Sequence, residues 1–428
     1  RDAQESRGLG DVYKRQVLLL SCVCMYGQKK SVNAAFSQAK MDTPDFTEAR
    51  RLINEALVNE ETKDDAKTWY VAGFIENKFF ELEMNKKIIG KEANEAEMYQ
   101  ALEKSTDLFN KALALDTLPN EKGKVKPRYL KDIRNNFKNN LDNYANAGIY
   151  YFNGKDFKKA YDIWTDYVNI TKMPIMDKQE MPADSIVGQI RYNAAIAALQ
   201  SGDHQLAIKA LSDARNGGYN ENDVYKFLVY EYEQTKDTVN LINTLKEGDQ
   251  RFKNEMVEVT DEQGNVSMQK ENTYILKLIN LYIYRSQFDD AIKALDVVIA
   301  ENPTNADYWN VKGSLYEAQK NMDQAVECFL KAIEISPNMP EALGNLGRIY
   351  FNQAIQRNNE ISELSDNAQY TKAKDEEVLP LFKKALPYYE KAHSLKPNED
   401  EYMVALRGIY YNLGDAENLK KIEAQMGY

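Results

Sequence analysis

The chain has 428 residues, 28% charged and 43% hydrophobic, with a formal net charge of −11. That is too long for one compact core, and it calls for several domains or a repeat array. An acidic balance without a basic cluster argues against a nucleic-acid partner. Cysteine is sparse: Cys22 and Cys24 sit in an apolar leader and only Cys328 follows, so stability has to come from packing and not from disulfides.

In chain order, residues 1–16 come first. Ser6 to Gln16 back-translates in a single frame to a sequencing-library adapter, so 1–16 reads as translated adapter and lies outside fold reasoning. Val17 to Tyr26 is an apolar run too short to span a bilayer, and 17–27 reads as a truncated signal peptide. Export to the periplasm or the outer membrane is therefore expected, with Gln28 near the new N-terminus. Leu19-Leu20-Ser21-Cys22 also resembles a lipoprotein box with Cys22 acylated, but the residues after it stay apolar.

From 28 to the C-terminus the apolar residues keep helical spacing. Ala49, Ile53 and Ala56 mark one helix. Trp69 and Gly73, with the later Phe109 and Ala112, mark a helix pair split by an insertion near 82–98. Tyr144, Gly148, Tyr151, Ala160 and Trp164 form another pair, with Asn153-Gly154 at its turn. Ala194, Ala195, Ala207, Leu211 and Ala214 form a third. Tyr225, Leu228, Tyr232, Leu241 and Leu245 give a degenerate fourth. The segment 253–271 departs from helix: Met256 to Thr260 and Val266 to Met268 flank a turn at Gly264 and read as a β-hairpin.

Beyond the hairpin, Phe288, Ala291, Leu295, Val298 and Pro303 recur 34 residues later as Met322, Ala325, Phe329, Ala332 and Pro337. Trp309, Gly313 and Tyr316 share one face of a first helix, which Asn321 is expected to end, and Ala325, Phe329 and Ala332 share a face of the second. Leu346, Gly347 and Tyr350 begin a further pair whose partner, with Ala385, Tyr389 and Ala392, comes after an insertion near 352–377. A last copy surrounds Leu406 and Tyr410.

This pattern resembles the tetratricopeptide repeat family over most of the chain, most clearly from Asp289 to Pro337. The leader and the tyrosine- and asparagine-rich repeats resemble exported members from Bacteroidota. The resemblance implies an all-α, right-handed α-solenoid of about nine helix pairs with one small β-hairpin. It also implies a non-catalytic scaffold that binds a protein or peptide partner in the cell envelope. A sugar chain is the alternative, since glycan-capture proteins of that group build on similar repeats.

No nucleophile elbow, phosphate loop or dinucleotide fingerprint is present, and no cofactor, metal or catalytic residue is expected. His204 and His393 lie in different repeats. His204 takes the place of Phe157 and Phe288 and is expected to pack, as is the Cys328 thiol. Partner binding in such repeats uses the inward face of the first helices. One residue beyond each core position stand Tyr70, Phe74, Asn77, Tyr192, Lys226, Tyr230, Asn310, Ser314, Arg348 and Phe351, a mixture of aromatics, amides and cations suited to an extended peptide. Asp116-Thr-Leu, Asp184-Ser-Ile and Asp237-Thr-Val also resemble an O-glycosylation sequon and are placed in turns.

Overall fold

The computed structural model describes residues 29–260, 264 and 266–427, and the expected adapter and leader fall outside them. The described chain is helical except for the expected hairpin, and it divides into two compact units, one ending at Asp237 and the other beginning at Thr238. The division falls between the two helices of the degenerate pair.

In the first unit, α1 (residues 29–39) and α2 (Phe46–Leu57) precede the pair α3 (Ala66–Ile88) and α4 (Glu95–Asp116). An additional helix, α5 (Leu130–Asn139), comes before the pairs α6 (Leu141–Asn153) with α7 (Phe157–Thr171) and α8 (Asp184–Gln200) with α9 (His204–Asn216). The last helix of the unit is α10 (Asn222–Thr235). The second unit opens with α11 (Thr238–Phe252) and the hairpin β1 (Met256–Thr260) and β2 (Val266–Lys270). It continues with the pairs α12 (Thr273–Tyr284) with α13 (Phe288–Glu301) and α14 (Ala306–Ala318) with α15 (Met322–Ile335). α16 (Pro340–Ile361) pairs with α18 (Leu379–Leu395) across the short α17 (Asn367–Ala373), and α19 (Asp400–Leu413) pairs with α20 (Ala416–Gln425). Within each unit helices pack mainly on their sequence neighbours, the arrangement of stacked repeats.

In four of the pairs the close approach has a covalent cause. A methyl group added to Gly313 would lie 2.7 Å from the Phe329 ring, and one added to Gly73 the same distance from Phe109. Gly148 meets Trp164 and Gly347 meets Tyr389 in the same way. A first-helix glycine thus receives a second-helix aromatic ring, and any larger residue would push the helices apart.

The turns inside the pairs share one device. Lys155, Lys236, Ser286 and Lys320 hold positive φ, as do Gly202 and Gly414 at the equivalent place. The next residue opens the second helix, and Asp156, Asp203 and Asp415 each accept a backbone hydrogen bond there. One expectation is refined by this geometry: Asn321 precedes the second helix instead of ending the first. At the turn after Asn153-Gly154, Lys155 carries the left-handed backbone.

The insertions are mostly helix. The segment 82–98 lengthens α3 and α4, and 352–377 extends α16 before forming α17 and a π-turn. Glu76, buried on α3, accepts hydrogen bonds from Arg50 at 2.6 Å and Lys104 at 2.6 Å, and Arg50 also reaches Glu97 at 2.8 Å. α2, α3 and α4 are joined through that carboxylate. No helix among the described residues is long and apolar enough to cross a membrane.

Candidate functional site

The inward residues of α3 are not open to a partner. Tyr70 is buried, stacked on Tyr129 with ring centroids 4.3 Å apart, and its hydroxyl donates to Asp132 at 3.3 Å. Desolvation, with Asp132 adding to it, pushes the Tyr70 phenol up to about 12. Asn77 is buried too, donating to Glu81 at 2.8 Å and accepting from Asn140 at 2.9 Å. Phe74 is half-buried, edge-on to Phe36 at 4.9 Å. The expectation of an exposed surface here is corrected, and the cause is the helix that the sequence reading did not separate. Asp132 lies on α5, Tyr129 just before it and Asn140 just after it, so that segment and Phe36 of α1 close over α3.

Elsewhere the inward side chains are largely bonded to one another. Tyr192 stacks on Tyr219 at 4.4 Å and donates to Asp223 at 2.6 Å. In the second unit, Asn345 donates to Asn310 at 3.0 Å, and the Ser314 hydroxyl folds back to the Asn310 carbonyl at 3.2 Å. Arg348 pairs with Glu317 at 2.7 Å and Glu401 at 3.5 Å, so it spans three first helices. Glu317 holds its guanidinium in the charged form. Phe351 is edge-on to Phe382 at 5.6 Å. Lys226 and Tyr230 are exposed side by side on α10, Tyr230 with 51% of its surface in solvent.

Another part of the first unit is open. Tyr150 on α6 stands between two clefts. One, of about 590 Å³, is lined by Gln100, Tyr151, Asn153, Asp156 and Lys159, and the other, of about 450 Å³, by Lys87, Tyr99, Asn146 and Ile149. The Tyr150 ring lies 4.9 Å from Tyr99 and 5.4 Å from Tyr151, while Ile149 is 50% exposed. The Tyr151 hydroxyl is buried without a hydrogen-bond partner, and desolvation raises its pKa. Aromatic faces, amides and charges of both signs border the same opening. The sequence held a signal for it: one residue beyond the core glycine Gly148 is Ile149, which was not carried into the inward set.

The sequence reading also found no carboxylate pair destined for burial, and the structure holds a half-buried carboxylate of note, Asp166 on α7. Desolvation, reinforced by Asp107, Glu103 and Asp162, pushes the Asp166 carboxyl up to about 7. Among the described residues no group of His, Cys, Asp and Glu is arranged to hold a metal ion. His204 does not pack as expected. Its ring is exposed at the start of α9, 2.8 Å from the buried Glu231 carboxylate. His393 meets Gln425 at 3.0 Å. Cys328 is buried as expected, its thiol pushed up to about 11 by desolvation, so it is a packing group and a poor nucleophile.

Comparison with known proteins matches residues 276–340 to the tetratricopeptide repeat. The photosystem I assembly protein Ycf3 of Rippkaea orientalis (strain PCC 8801 / RF-1) is 26% identical over 117 residues, covering 27% of this chain and 59% of that relative. Among solved structures, the C-terminal part of a TPR repeat-containing protein from Cytophaga hutchinsonii is similar at 13% identity, over 65% of this chain and 92% of that one, with a TM-score of 0.37. MamA from Desulfovibrio magneticus RS-1 is similar at 12% identity, over 52% and 99%, with a TM-score of 0.30. YrrB, described as a TPR protein with an unusual peptide-binding site, gives 15% identity, 50% and 96%, and a TM-score of 0.30.

Proposed function

We propose, from the premise that this is a tetratricopeptide-repeat protein with the repeat matched over residues 276–340, that it is an exported, non-catalytic scaffold holding a protein partner in the cell envelope. The observation that carries the reading is the Tyr150 ridge. An aromatic ring between two open clefts, with an exposed isoleucine beside it and amides around it, presents the mixture that grips an extended peptide: flat apolar contact plus donors and acceptors for its backbone. Lys226 and Tyr230 on α10 add a second accessible position. Nothing among the described residues favours a sugar chain over a peptide.

Two measurements test the proposal. Ile149→Asp places a charge on a side chain that is already half in solvent, so thermal unfolding should stay close to wild type while capture of the partner from envelope extracts falls. Tyr230→Ala should do the same more weakly. A partner retained undiminished by both variants rejects this surface. Export is tested separately by mass spectrometry of the protein purified from its own cells: a new N-terminus near Gln28, or an acylated Cys22, is expected. An intact leader on a cytosolic protein would reject export.

A further inference from the structure

The larger cleft beside Tyr150 contains a polar group that the fold leaves unused. Tyr151 lines it, 7% of that residue is exposed, and its hydroxyl has no hydrogen-bond partner. A buried hydroxyl left without a partner is destabilising, and a phenylalanine would fill the same space without that cost. The charges around it are unbalanced as well. Desolvation raises the Glu103 carboxyl, Lys159 counters it, and Asp107, Asp162 and Asp156 add to it. Glu103 also bears on the Tyr151 hydroxyl itself. Of the nearby cations, Lys158 pairs with Asp162 at 2.7 Å, and Lys159 lies 3.9 Å from Asp156. The Lys159 ammonium also stands 5.2 Å over the Tyr151 ring. The chain's own cation shows what this spot attracts, which is positive charge against an aromatic face beside carboxylates.

Negative charge alone would attract any cation, but the other groups at the cleft narrow the choice. Gln100 and Asn153 border it with amide oxygens that accept hydrogen bonds, the Tyr151 oxygen accepts as well, and the Tyr150 ring offers a flat face. A guanidinium presents its N–H donors in one plane and stacks on aromatic rings, whereas an ammonium is a compact, strongly hydrated point charge. We propose that this cleft anchors an arginine side chain of the peptide partner, the guanidinium lying along the Tyr150 ring, donating to the Tyr151 hydroxyl oxygen and neutralising Glu103. The entering arginine displaces the Lys159 ammonium from the Tyr151 ring and so uncovers the hydroxyl. It rests on the reading of the Tyr150 ridge as a peptide surface, and it adds which side chain holds the peptide there.

Saturation-transfer NMR on the full chain tests this with three blocked tripeptides, acetyl-Ala-Arg-Ala-amide and its citrulline and lysine counterparts. Citrulline keeps the shape of arginine and lacks its charge. The arginine peptide should bind about tenfold more tightly than the citrulline peptide, with the lysine peptide between them, and the preference should shrink in high salt. Glu103→Gln should weaken the arginine peptide by about fivefold, whereas Lys159→Ala should tighten its binding because the competing cation is gone. Tyr151→Phe should weaken binding while thermal unfolding stays unchanged or rises, since the lost hydroxyl had no partner in the fold. Equal affinity for the arginine and citrulline peptides overturns the proposal. So does a lysine peptide that binds as tightly as the arginine one, and so does a Lys159→Ala chain that binds no more tightly. Partner capture lost in Ile149→Asp without any arginine preference would overturn this assignment and leave the peptide surface standing. An arginine preference abolished by Glu103→Gln, in a chain whose partner is indifferent to Ile149→Asp, would support the anchor and reject the wider surface.

Discussion

The inward faces of α3 in the first unit and of α14 and α16 in the second arise from the same repeat pattern, yet they end in opposite states. On α3, Tyr70 and Asn77 are sealed by α5 and its flanking residues. On α14 and α16, Asn310 and Arg348 stay half-open and are cross-braced to Asn345, Glu317 and Glu401. A repeat position therefore does not have a fixed role. A covered position contributes through apolar burial and buried hydrogen bonds, whereas a braced one contributes through charge pairs that water and salt weaken.

The largest expected effect breaks the cover. Phe137 on α5 is fully buried against Phe109, with ring centroids 6.0 Å apart. Phe137→Ala should cost about 3–5 kcal/mol in chemical denaturation of the first unit. It should also raise the exchange rate of α3 amides. A loss below about 1 kcal/mol would mean that α5 does not hold the α3 face closed.

Next comes pH. The Asp166 carboxyl is raised to about 7 in the folded chain, against 3.8 as its ordinary value, so between those values the folded state binds more protons than the unfolded one. Stability then falls as pH rises from about 4 to 7, and the deficit is complete above 7. Asp166→Asn should raise stability at pH 8 by about 1–2 kcal/mol and flatten that slope. An unchanged slope in denaturation midpoints across this range would remove Asp166 as its source.

A smaller gain is expected at the turns. Lys320 holds φ at 62°, a left-handed backbone that a side chain disfavours. Lys320→Gly should raise stability by up to about 1 kcal/mol. Lys155→Gly should act alike, since φ there is also 62°.

The smallest effect belongs to the braced face. Arg348→Ala should cost about 1 kcal/mol or less, and the cost should shrink in high salt. If it costs as much as Phe137→Ala, the contrast between covered and braced faces fails.

The sequence by itself determined the elements that depend on neighbours along the helix. Spacing placed Gly313 and Phe329 on facing helices, and the closeness of that contact follows from having no Cβ at one side. The hairpin at Gly264 was legible from its alternation. α5 was not separated, because ten residues with only Ile133 and Phe137 buried carry too little periodic signal. The site was legible in part. The step from each core position located Lys226 and Tyr230 as exposed, but which inward residues are spent on neighbours depends on side chains one repeat away. Glu317 meets Arg348 across 31 positions, and Tyr192 meets Asp223 across 31. Only tertiary structure decided those pairings, because the stacking offset between repeats fixes which ends of two long side chains meet. It also decided the surroundings of Asp166 and the opening beside Tyr150. The opening is set by where α6 meets side chains of the earlier α3 and α4, a distance that no single helix encodes.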